Sequence, residues 1–181
     1  MLSFKMAFSH DILVKDLDGD ALNDTVSLDR KHAKLLVRLS RQDYKKLHSL
    51  EIKNLSSSSS IDATKNGFEF HNDQMRDGYS CHFRFNPIEA KMQLIGMTRY
   101  NDGNAQLDGS GESSVNLLTG RYIGNWNYFD LKKQKLIKMA TISQPFKMAP
   151  VYLDRFGDQI PEQYRTTCES HYTKNKPVSI N

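Results

Sequence analysis

Tyr79-Ser80-Cys81-His82-Phe83-Arg84-Phe85 decides the fold. Its apolar residues recur at every second position, with Ser80, His82 and Arg84 between them. This is the period of a strand with one buried face, not of a helix. The same alternation runs outward in both directions. Ala33, Leu35, Val37 and Leu39 share one face of an earlier segment, with Lys34, Arg38 and Ser40 opposite. Ile12 and Val14 alternate before an acidic loop, and Val26 and Leu28 after it. Residues 91–99, 121–129 and 136–142 are further extended runs, the second placing Tyr122, Trp126 and Tyr128 on one side. Turn signals at Asn86-Pro87, Asp102-Gly103, Asp108-Gly109 and Thr119-Gly120 punctuate them. The pattern predicts an all-β protein of antiparallel hairpins, propeller-like or sandwich-like, in a single domain over residues 1–175 with a flexible tail at 176–181. Helix is expected only in short pieces, at residues 42–50 and 161–168, the second started by Pro161. The serine run 56–60 reads as a flexible, solvated loop.

Composition supports one core. Among 181 residues, 38% are hydrophobic and 25% charged, and 9 Phe, 8 Tyr and 1 Trp supply bulk enough to exclude wholesale disorder. No apolar run reaches the roughly 18–20 residues that cross a bilayer as a helix. The start, Met1 to His10, carries Lys5 and lacks an apolar stretch of signal-peptide type. A cytoplasmic location is therefore expected, or a periplasmic or lipid-anchored one if a leader has been removed. The net charge is +4. Basic residues gather at 30–46 and 132–138, at strand period, so they read as solvated strand faces, and nucleic acid is not an expected partner. Cys81 and Cys168 allow one disulfide, which would contribute about 4–5 kcal/mol in the chain-entropy model, or two reduced, buried thiols.

The chemically informative stretch is Asp16-Leu17-Asp18-Gly19-Asp20-Ala21-Leu22-Asn23-Asp24. Carboxylates stand at positions 1, 3, 5 and 9, and Leu22 offers a backbone carbonyl at position 7. Hard oxygens at this spacing suit Ca²⁺, which accepts six to eight of them. Bare, the four carboxylates repel one another. The expected metal set is thus Asp16, Asp18, Asp20, Leu22 and Asp24, holding a structural calcium in the turn of a hairpin at 11–29. The turn is not an EF-hand: Ala21 stands where glycine is required and Ser27 where the bidentate glutamate belongs.

Asp16-x-Asp18-Gly19-Asp20-x-x-x-Asp24 between strands resembles the calcium loop of FG-GAP and VCBS repeats. The resemblance implies a β-hairpin calcium site, and its single copy excludes a full propeller of repeats. The family pattern has glycine at Ala21, so if that position needs positive φ, alanine costs roughly 1 kcal/mol. Phe83-Arg84-Phe85-Asn86, Gln93-Leu94-Ile95-Gly96-Met97 and the run from Ser113 to Gly120 resemble small secreted or lipid-anchored bacterial proteins with one such loop followed by hairpins. Some of these inhibit lysozyme or act as immunity proteins against peptidoglycan-cleaving toxins. The function implied is occlusion of a toxin or cell-wall hydrolase by a binding protein with no catalytic residues. A calcium-binding adhesion or structural module is the alternative, and a metal-dependent hydrolase a weaker one.

Weaker motifs add little. The glycine-rich stretch at 108–114 lacks both a phosphate-loop lysine and a nucleophile elbow. Asp102, Asp108 and Glu112 are candidates for a second cation. His71 and Asp73 share a strand face without making a site by themselves. Tyr122, Trp126, Tyr128 and Phe129 read as core in preference to a recognition stripe.

Overall fold

A computed structural model describes residues 11–177. The first meander comprises β1 (Ile12–Lys15), β2 (Asp24–Asp29), β3 (Lys34–Arg38) and β4 (Leu47–His48), each antiparallel to the next. The second comprises β5 (Ser60–Thr64), β6 (Gly67–Asp73), β7 (Asp77–Asn86), β8 (Lys91–Asn101), β9 (Gly111–Asn116), β10 (Arg121–Asp130) and β11 (Lys135–Lys138), with β12 (Ile142–Pro145) also on β10. β1 and β2 run beside β5. The all-β expectation holds, as two open antiparallel sheets; no closed barrel or propeller occurs among the described residues. Among those residues no helix is long and apolar enough to cross a membrane.

Alternation places the core. In the large sheet Phe68 pairs Phe83, Phe70 pairs Cys81, Cys81 pairs Met97, Met97 pairs Val115 and Val115 pairs Tyr122, so one face is a continuous apolar floor. Past His82 and Gly96 the register shifts, leaving Ile95 as the extra residue of a bulge. That shift keeps Leu94 and Met92 on the same floor as Phe83. Two elements cover it. The segment Val151, Leu153 and Phe156 bonds to β8 and to residue 50, and the Phe156 ring stands edge-on to Phe70 and Phe83. The helix α1 (Gln159–Asn175) then lays Ile160, Tyr164, Cys168 and Tyr172, an i, i+4 stripe, across β9 and β10. Tyr122 and Trp126 are buried there, as core.

Several expectations need correction. Residues 42–50 are not helical: a 3-10 turn (Ser40–Gln42) is followed by Asp43 and Tyr44, both at positive φ (52° and 55°), and the chain then pairs as β4 with β3. Two consecutive left-handed residues stop a helix, and β4 satisfies an edge that β3 would otherwise expose. The second helix outruns 161–168 at both ends, because the apolar stripe from Ile160 to Tyr172 continues to find sheet beneath it. Residues 136–142 form no single strand; β11 and β12 split there to pair different halves of β10. In β1 it is Leu13 that faces Val26 and the core, while Ile12 and Val14 point outward. The serine run is pinned: Ser59 is fully buried and donates to Asn72 Oδ1 at 2.7 Å, and the Ser56 amide donates to the same oxygen at 3.1 Å. Cys81 and Cys168 are two free buried thiols, with no disulfide. The Met1–His10 reading and most of the 176–181 tail lie outside the described residues. Lys176 itself is held, its ammonium 2.7 Å from Asp108 Oδ2.

Candidate metal centre

The turn between β1 and β2 folds around its own carboxylates. Asp16 accepts from the Gly19 amide (2.7 Å) and the Ala21 amide (3.0 Å), closing the loop locally. This requires positive φ at Gly19 (81°) and at Ala21 (68°). Asp24, fully buried at the start of β2, accepts from the Leu17 and Asp18 amides through Oδ2 and from the Ser40 amide through Oδ1. The 3-10 turn after β3 is therefore part of the site. Its Ser40 hydroxyl lies 2.8 Å from Asp20 Oδ2 and 3.4 Å from Asp18 Oδ2.

Asp18 is the unusual member. Its side chain is 0% exposed, and Oδ1 has no hydrogen-bond donor; Arg41 Nε stands 3.4 Å away without bonding geometry. Burial, then the neighbouring charge of Asp24, pushes its carboxyl above the usual range, and the Arg41 amide pulls the other way. Asp16, Asp18 and Asp24 each offer an oxygen within 4.8 Å of the others, the one such close group of acids, cysteines or histidines among the described residues. Of the expected five, the structure gathers these three. Asp20 caps the Leu22 amide and leans on Ser40, its carboxyl held below the usual range by those bonds. Leu22 is exposed. Carboxylate oxygens keep a second lone pair after accepting one amide, so the three carboxylates are compatible with a hard cation.

The second-cation candidate fails in this geometry. Asp108 is taken by Lys176, by the Tyr172 hydroxyl and by the Phe129 amide, and its carboxyl is lowered despite burial. His71 does not engage Asp73; its Nε2 lies 3.3 Å from Asp62 and 3.7 Å from Glu69. Sequence reading missed Ser40 and Arg41, which no spacing links to residues 16–24. It also missed the cluster around Glu69, whose members lie on three strands. Both depend on strand register, and the only sequence signal was the alternation that put His82 outward.

Comparison of the chain with family models, with curated proteins and with solved structures gives no match.

Proposed function

We propose that this protein is a calcium-stiffened β-sheet module that binds and occludes a partner enzyme, a bacterial toxin or peptidoglycan hydrolase. The observation that carries the metal is Asp18 Oδ1, a buried carboxylate oxygen with no donor, beside two further carboxylates. A buried carboxylate oxygen that accepts no hydrogen bond is costly, and the Arg41 guanidinium 3.4 Å away offsets that cost only in part. A divalent ion held by Asp16, Asp18 and Asp24 removes that cost and ties β1, β2 and the turn after β3 into one unit. Its role is structural.

The projecting hairpins support the occlusion reading. Antiparallel order brings the β6–β7, β8–β9 and β10–β11 connections to one end of the large sheet. There Met75 (96% exposed), Leu131 (60%) and Leu107 (47%) stand in solvent. Arg76 ties two of these tips together by donating to the carbonyls of Gly103 and Asn104. Large apolar side chains on rigid tips are what an inhibitor inserts into a cleft.

Two measurements test the proposal. Calcium should raise the melting temperature and EDTA reverse the rise; at a hundredfold excess over Kd the gain is about 2.7 kcal/mol. Asp18→Asn should melt no lower than the parent without calcium, since a repelled buried charge is gone, yet lose the calcium response. A parent protein indifferent to calcium would end the metal reading. Mixed with a panel of lysozymes and peptidoglycan hydrolases, the protein should form a complex on size exclusion and suppress turnover. Met75→Asp with Leu131→Asp should weaken both without changing the melt. Absence of any complex across the panel, including hydrolases encoded beside its gene, would sink the inhibitor reading.

A further inference from the structure

The outer face of the large sheet carries a second group of metal-donating side chains, sharing no residue with the β1–β2 turn. Register sets Asp62 of β5 opposite Glu69 of β6, and Glu69 opposite His82 of β7. His71, two residues beyond Glu69, shares its face. His82 Nε2 lies 3.3 Å from Glu69 Oε2, His71 Nε2 lies 3.7 Å from the same oxygen, and His71 Nε2 lies 3.3 Å from Asp62 Oδ2. The Ser80 hydroxyl donates to the other carboxylate oxygen, Oε1, and shares a 2.7 Å contact with Thr98. Glu69 is thus steered so that Oε2 faces two imidazoles. His82 Nε2 is shielded from solvent and makes no hydrogen bond.

We infer that Asp62, Glu69, His71 and His82 form a binding site for a divalent transition metal of the zinc class. Nitrogen donors from two histidines disfavour calcium and magnesium and suit zinc, cobalt or nickel. Tetrahedral ligands about 2.1 Å from a common ion stand roughly 3.4 Å from each other. The three separations here, 3.3, 3.3 and 3.7 Å, are of that size. They are long for hydrogen bonds, so the donors are collected without being well satisfied by one another. At present they make an open string from Asp62 through His71 and Glu69 to His82. No three of these donors lie mutually within 4.8 Å, so an ion would have to draw in the two end side chains, which are the more exposed members, with Asp62 55% and His82 43% exposed. Ser80 and Thr98 then act as the outer layer that orients Glu69. Beside the string lies a cavity of about 220 Å³ lined by Ser80, Gly96, Thr98 and Asn116, which leaves room for a water or a small ligand on the metal.

The test is titration of the metal-free protein with Zn²⁺ by calorimetry, and with Co²⁺ read by its visible absorption. Saturable one-to-one binding is expected, with a tetrahedral-type cobalt spectrum that zinc abolishes. His71→Ala and His82→Asn should each weaken zinc by about tenfold or more, and the double variant should remove the cobalt signal. Asp18→Asn should leave zinc unchanged. Circular dichroism of each variant separates a lost ligand from a lost fold, and Ser80→Ala, which removes no donor, gives a second reading through weaker zinc binding. Zinc binding that survives in a folded double variant, or no binding by the parent, would overturn the assignment.

Discussion

At the scale of single residues, the chain places charge where burial is expensive and then neutralises it locally. Glu69 shows this in the metal-free protein. The His82 imidazole 3.3 Å from it, opposed by burial and helped by Ser80, holds its carboxyl down at about 2 against an ordinary 4.5. The same contact raises His82 above its ordinary 6.5. The signs fix a window. A depressed acid contributes stability that is complete above its unfolded pKa and fades as pH falls towards about 2. A raised histidine contributes stability that is complete below its unfolded pKa and fades as pH rises through its folded value. The pair therefore contributes fully between about pH 4.5 and 6.5. Denaturant midpoints of the metal-free protein, measured across that range and on either side, should show a bulge that His82→Gln flattens. Ala21 makes a second residue-scale case. It adopts φ 68°, which an L residue enters at a cost. Ala21→Gly should stabilise by about 1 kcal/mol, worth roughly 2–4 °C for a chain of this size. A lower melting temperature would mean that the turn needs the methyl group.

At the scale of elements, what was legible in the sequence was whatever depends on neighbours in the chain. Period-two alternation in β2, β3, β7 and β10 identified strands and their inward faces, because side-chain direction follows from pleat alone. Pro161 marked a helix start within its first turn. The failures occur where a distant element decides. Residues 42–50 have the composition of a short helix, but the open edge of β3 recruits Leu47 and His48 into a strand. The serine run looks like a solvated linker until Asn72, on β6, arrives to accept its donors. Residues 136–142 read as one extended run in the sequence; the length of β10 allows two partners, and the run divides between them. The acidic β1–β2 turn is a mixed case. Asp16, Asp18 and Asp24 were legible from spacing, since the loop that gathers them is local. Ser40 and Arg41, which complete its wall, were not, because β2–β3 register brings them there.

At the scale of the whole molecule, Phe156 and the start of α1 link the two open sheets. The Leu50 amide bonds the Phe156 carbonyl at 2.8 Å, and the Lys53 amide bonds Asp158 at 2.8 Å, so the chain leaving the small sheet is fastened to the segment that covers the large one. This coupling has a direct readout, because Trp126 is the single tryptophan and is buried in the large sheet under α1, whereas the proposed calcium turn belongs to the small one. In a two-state molecule any ligand of the native form shifts every probe equally. Thermal melts followed by Trp126 fluorescence and by far-ultraviolet circular dichroism should therefore share a midpoint, and calcium should move both by the same amount although no calcium ligand touches the indole. A tryptophan midpoint that stays fixed while the dichroism curve moves would show that the sheets unfold separately, and that stiffening the β1–β2 turn does not reach the hairpin tips Met75 and Leu131, on which the proposed occlusion depends.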